Sequence, residues 1–139
     1  MFGKSFMNKV GFEDIIIFLK NPTKDIILIN TLPIHEQEVL IEHTTNIIDE
    51  EKIINESLHD STKIIIIYGK NCIDSSVEKK YSQIVNLGYC ESNLYIYYGG
   101  LFEWCLLQDI FDKNNFPTSS VCNDILKFRP ASVIKKNIS

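Results

Sequence analysis

Arginine is almost missing from this chain: Arg129 is the single one among 139 residues, and the formal net charge is -4. Nucleic-acid recognition draws on basic patches and on the forked donors of guanidinium groups, so a nucleic-acid partner is not expected. No apolar run comes near the roughly 18 residues that a membrane-spanning helix needs, and no membrane association is expected. There is no CxxC pair. Cys72, Cys90, Cys105 and Cys122 lie far apart, with no histidine close to any two of them. Convergent zinc ligands are usually announced by two close pairs, so neither a metal site nor a cofactor is expected. Internal repeats and low-complexity segments are also missing. The start, MFGKSFMNKV, holds no apolar signal core, and a glycine at the third position does not fit the myristoylation pattern. A mature cytoplasmic protein with free thiols is the expectation.

What is present is ordinary for one globular domain. Hydrophobic residues make up 45% and charged residues 23% of the chain, and this length supplies one core without staples. KSFMNKV has room for a short first strand. Phe12, Ile15, Ile16 and Leu19 then recur at helical spacing, and Asn21-Pro22 stops the helix. DIILI, residues 25–29, reads as a buried strand. NIIDEEKIINESL reads as a brief strand followed by a short helix whose start carries Asp49, Glu50 and Glu51.

KIIIIY, residues 63–68, is apolar at successive positions, as in a strand covered on both faces at the centre of a parallel sheet. Ser75-Ser76-Val77-Glu78 matches the capping-box pattern at a helix start. Val77, Tyr81, Ile84 and Val85 supply that helix's buried face, and Gly88 fits just past its end. NLYIYY is a further strand closed by Gly99-Gly100, and LFEWCLLQDIF is the next helix. Alternating strands and helices predict an α/β fold with three layers: a central parallel sheet of about five strands and helices on both faces.

From Lys63 to Trp104 this succession resembles the rhodanese-like domain family: apolar strand, loop, helix, the turn Leu87-Gly88-Tyr89, strand, and then GGLFEW. The last motif is similar to the family's closing G-G-x-x-x-W, with Gly99, Gly100 and Trp104 in the corresponding places. The front half matches less. Asn30-Thr31-Leu32 stands where the family has Asp-x-Arg, and the family's Gly-His-Ile-Pro-Gly-Ala has no counterpart around VLIEHTTNI.

The resemblance directs attention to the loop GKNCID, formed by Gly69, Lys70, Asn71, Cys72, Ile73 and Asp74. In the family, a cysteine at the first loop position carries sulfur as a persulfide, and the loop amides and the following helix favour its thiolate. Six residues is the loop length of the sulfurtransferases; the related phosphatases and arsenate reductases use C-x5-R. Here Gly69 takes the nucleophile's place, and Asp74 stands where many active members have arginine. The resemblance therefore implies a non-catalytic domain acting as a protein-interaction or structural module, within a larger assembly or with a protein partner. The loop could still accept a small anion. The alternative is a sulfurtransferase or persulfide carrier that uses Cys72, three residues along the loop, with Lys70 as the nearby positive charge.

The remaining candidates read as structural. Cys90 and Cys105 are expected to be buried packing residues, His35, His43 and His59 surface residues, and Trp104 a core anchor behind the loop. Residues 1–115 are taken as the rhodanese-like domain. Residues 116–139 are taken as a C-terminal extension that packs on the domain or on a partner. The helix LFEWCLLQDIF is apolar on nearly every side, whereas one sheet face covers only a stripe about 100° wide. Phe116, Val121, Ile125, Leu126 and Phe128 can cover the rest, with residues 124–128 able to form one turn of helix.

Overall fold

The computed structural model describes residues 7–134. Its strands are β1 (Lys9–Val10), β2 (Ile26–Asn30), β3 (Ile64–Tyr68) and β4 (Leu94–Tyr97). Its helices are α1 (Phe12–Lys20), α2 (Glu50–Ser57), α3 (Ser75–Asn86) and α4 (Gly100–Ile110). The four strands are all parallel, in the order β1-β4-β3-β2. Strand β3 is interior: Ile66 pairs with Leu28 on one side and with Tyr95 on the other.

The uninterrupted apolar run of β3 follows from coverage on both faces. Ile66 and Tyr68 join Leu28 and Tyr97 on one face, packed against Ile15 and Phe18 of α1 and Leu101, Trp104 and Cys105 of α4. Ile65 and Ile67 join Ile27, Ile29 and Ile96 on the other, packed against Ile54 of α2 and Val77, Tyr81 and Ile84 of α3. A strand with water on one face would alternate; this one does not. Ile64, at the strand's entrance, is only half-buried.

Two expectations are corrected. The described residues contain four strands, not about five, because the stretch 46–48 leads into a turn. Asn46 Oδ1 accepts the Ile48 amide at 3.0 Å, and its carbonyl accepts the Asp49 amide at 2.9 Å. This local side-chain bonding competes with a sheet ladder and leads straight into α2. Only an isolated bridge, Leu28 to Thr44, touches the sheet there. The second correction concerns the start of α3. Its cap is Asp74, not Ser75, with the Ser76 amide donating to Asp74 Oδ1 at 3.0 Å. The other end of α3 follows expectation. Gly88 has φ +101°, and the amides of Gly88 and Tyr89 close back on the carbonyls of Val85 and Ile84.

The chain beyond α4 returns across it. Phe116 and Phe128 are 4% and 2% exposed and belong to the same cluster as Trp104. The Phe116 ring lies 5.1 Å from that of Trp104 and edge-on to it, and Trp104 Nε1 donates to the Pro117 carbonyl at 3.0 Å. Gln108, also buried, donates to the Phe116 carbonyl at 2.7 Å. Residues Ile125–Phe128 form a 3-10 turn. An α4 that is apolar on several sides is thereby covered on two.

Candidate functional site

The loop of residues 69–74 leaves the carboxyl end of the interior strand β3, where parallel α/β sheets place their sites. Two carbonyls tie it to α4: Gly69 O accepts the Leu101 amide and Lys70 O accepts the Phe102 amide, both at 2.9 Å. Gly100 makes this approach feasible. Its φ is +70°, and a Cβ there would meet Asn71 N and Gly69 O at 2.9 Å. The second glycine of the sequence motif, Gly100, is thus a packing requirement of the loop.

Inside the loop, the amides of Lys70, Ile73 and Asp74 find acceptors within the chain. Lys70 N–H donates to Asp74 Oδ2 at 2.9 Å, and Ser76 N–H and the Ser76 hydroxyl donate to Asp74 Oδ1 at 3.0 and 2.6 Å. Ser76 Oγ also lies 2.7 Å from Thr31 Oγ1 at the end of β2. Asn71 Oδ1 accepts the Ile73 amide at 3.1 Å. The carboxylate of Asp74 therefore takes the Lys70 amide of the loop and the Ser76 amide at the positive end of α3, donors of the kind that can hold an anion. Gly69 lies directly beneath it. A Cβ on Gly69 would meet Val77 Cγ2 at 2.5 Å, Asp74 Oδ2 at 2.6 Å and Thr31 Oγ1 at 2.9 Å.

The other loop residues diverge from this centre. Asn71 is buried, and its Nδ2 donates to the Phe128 carbonyl at 3.0 Å, fastening the loop to the tail. Lys70 Nζ turns outward to Glu36 at 3.1 Å. Ile73 is exposed. Cys72 is exposed at the rim, beside a cavity of about 200 Å³ that is also lined by Lys9, Glu78 and Tyr98.

The structural cysteines part company. Cys105 is buried in the core, and burial pushes its thiol far up from its usual range, with Cys122 nearby adding to the effect. Cys90 is exposed, which corrects the expectation that it packs. It follows Tyr89 into a surface turn, and hydrogen bonding to Ser92, whose hydroxyl is 3.0 Å away, lowers its thiol. His35, His43 and His59 are all exposed, and Trp104 is fully buried. Among the described residues no group of three or more His, Cys, Asp or Glu side chains converges on one point, and no helix is long and apolar enough to cross a membrane.

Sequence reasoning missed two features. One is Asp74 as the occupant of its own loop; the preference of aspartate for helix caps was the available signal. The other is a guanidinium near the loop. No arginine is close in sequence, but the tail carries Arg129, with Lys127, to the wall of the depression outside Lys70, Asp74 and Ser76.

No family model and no curated protein matches the sequence. Solved structures do match in shape. The BH2092 protein from Bacillus halodurans aligns with a TM-score of 0.61 at 16% identity, over 99% of this chain and 94% of that one. A full-length protein from Lactobacillus plantarum aligns at 0.60 and 14% identity, over 81% and 88%. The As-Sb reductase from Leishmania major aligns at 0.57 and 14% identity, over 76% and 79%. With the four-stranded parallel sheet and four helices among the described residues, these similarities show an α/β fold of the rhodanese-like type. At such identities they establish the fold alone.

Proposed function

We propose that this chain is a non-catalytic rhodanese-like domain that serves as a protein-interaction or structural module. The observation that carries this reading is the seat of Asp74. In a persulfide-carrying loop, the amides hold a thiolate or its sulfur adduct. Here Lys70 N–H and Ser76 N–H are spent on an internal carboxylate. The residue below it, Gly69, has no side chain, and there is no space for one without displacing Asp74 or Val77. A small external anion would have to displace a covalently tethered competitor, so the small-anion reading is weaker than the sequence suggested. Thiosulfate-to-cyanide sulfur transfer by the whole chain tests the reading: background rates support it, and turnover proportional to protein sinks it.

A second reading, persulfide carriage by Cys72, draws on one observation: the thiol is exposed at the rim of a cavity that Lys9 also lines. The step would be attack of the Cys72 thiolate on the outer sulfur of thiosulfate, with the S–S bond electrons leaving on sulfite. Cyanide would then take the outer sulfur as thiocyanate and restore the thiolate. Among the described residues no backbone amide donates to the Cys72 sulfur, which ranks this reading second.

A further inference from the structure

Outside the occupied cradle, residues of the loop and the tail enclose an open depression of about 610 Å³. Its wall carries Lys70, Lys127 and Arg129, and Ile73 and Val133 line it with apolar surface that is 52% and 59% exposed. Lys70 is committed to Glu36. Lys127 and Arg129, by contrast, enter no ion pair among the described residues.

Both cations are held in position. Phe128, between them, is buried in the core, and its carbonyl accepts Asn71 Nδ2 from the loop. Arg129 Nη1 donates to the Leu126 carbonyl at 2.7 Å, which leaves the rest of its fork outward. Lys127 Nζ stands 5.4 Å from the centre of the Phe128 ring. In a chain of net charge -4, the two unpaired cations outweigh the one carboxylate on the lining, Asp74, and make a local inversion of sign. Asp74 already takes the Lys70 and Ser76 amides, so a ligand using these charges binds across the mouth.

We propose that this mouth docks an acidic segment of a partner protein. Its carboxylates meet Arg129, which can take one in a forked pair, and Lys127, which acts as a point charge. An apolar side chain of the same segment lies over Ile73 and Val133. The inference rests on the loop face being an interaction surface and narrows that surface to a chemistry. The loop and tail form one site because Asn71 fastens the two together.

The test is fluorescence anisotropy of a labelled peptide of alternating Glu and Leu with the whole chain. Saturable binding is expected, weakened at least about tenfold by Lys127→Glu with Arg129→Glu, and likewise by raising salt from about 50 to about 300 mM. Both side chains are exposed, so the double variant should melt with the wild type; Lys127→Gln with Arg129→Gln serves if it does not. No binding, unchanged binding by the charge-altered variant, or equal binding of a labelled DNA duplex would overturn the proposal. So would complete displacement by millimolar sulfate. Sulfur transfer assayed on the same samples separates the two failures. Peptide binding with turnover leaves this inference standing and sinks the non-catalytic reading; no binding and no turnover does the reverse.

Discussion

Asp74 Oδ2 stands 2.6 Å from the point at which a Cβ on Gly69 would lie. The two positions are thus complementary: the carboxylate can occupy the loop because residue 69 carries no side chain. Gly69→Cys alone should therefore not restore a reactive loop thiol. The new side chain must displace Asp74 and Val77, a small-to-large change that destabilises by about 1–3 kcal/mol. Its thiol would be partly buried beside a carboxylate, and both effects disfavour the thiolate. Slow reaction with a chromogenic disulfide is expected, with faster reaction once Asp74→Ala is added. A fast-reacting single variant would show that the carboxylate yields its place.

Asp74 also stabilises the fold. It caps α3 and accepts the Lys70 amide, so Asp74→Ala removes a cap and leaves the Lys70 and Ser76 amides without their acceptor. A loss of about 1–2 kcal/mol is expected from urea denaturation, with Asp74→Asn losing less because the amide oxygen still accepts. Equal stability of all three proteins would mean that water replaces the carboxylate at no loss.

The sheet was legible in advance because its signal is local. Ile64 to Ile67 are apolar at successive positions, and an interior parallel strand is the arrangement that hides all of them. The front of the chain was harder. The stretch 46–48 has strand composition, but the Asn46 side chain closes a turn instead. In the loop, residue types were readable and their use was not. Ser75 and Asp74 are both good caps, and the choice depended on Lys70 and Thr31 lying close in space. Arg129 is 55 residues beyond Asp74 in the chain, and only the packing of Phe116 and Phe128 brings it back.

That packing is itself testable. Phe128 is 2% exposed in the cluster around Trp104, and its backbone holds Asn71. Phe128→Ala should destabilise by about 3–5 kcal/mol, as for other buried phenylalanines. A chain ending at Asn115 should lose more, since Trp104 would also lose Phe116. Unchanged melting of the truncated chain would contradict the packing of the tail.

Alkaline pH supplies an independent check on the core. Tyr89 donates to the Lys63 carbonyl at 2.6 Å, and burial raises its hydroxyl to about 12 from an ordinary value of 10.0. Burial raises Tyr68 and Tyr97 further, and the carboxylate of Glu103 adds to the shift at Tyr97. A group whose folded pKa is raised lends its full stability below the unfolded pKa and loses it as pH climbs towards the folded one. Burial holds the Cys105 thiol up as well, so stability should be level to about pH 8.5, fall above it, and fall more steeply past about pH 10 as the tyrosines of the unfolded chain titrate. Urea midpoints across that range, with Tyr89→Phe showing a shallower fall, check the sign. A steeper fall in the variant would reverse it.

The most direct test of the central claim is mass spectrometry of the intact chain after incubation with thiosulfate, followed by cyanide. A loop in which Asp74 holds the Lys70 and Ser76 amides should leave every cysteine without an added sulfur atom and release no thiocyanate above background. A single sulfur atom added at Cys72, removed by cyanide and not formed in Cys72→Ser, would contradict the non-catalytic reading and make this chain a persulfide carrier.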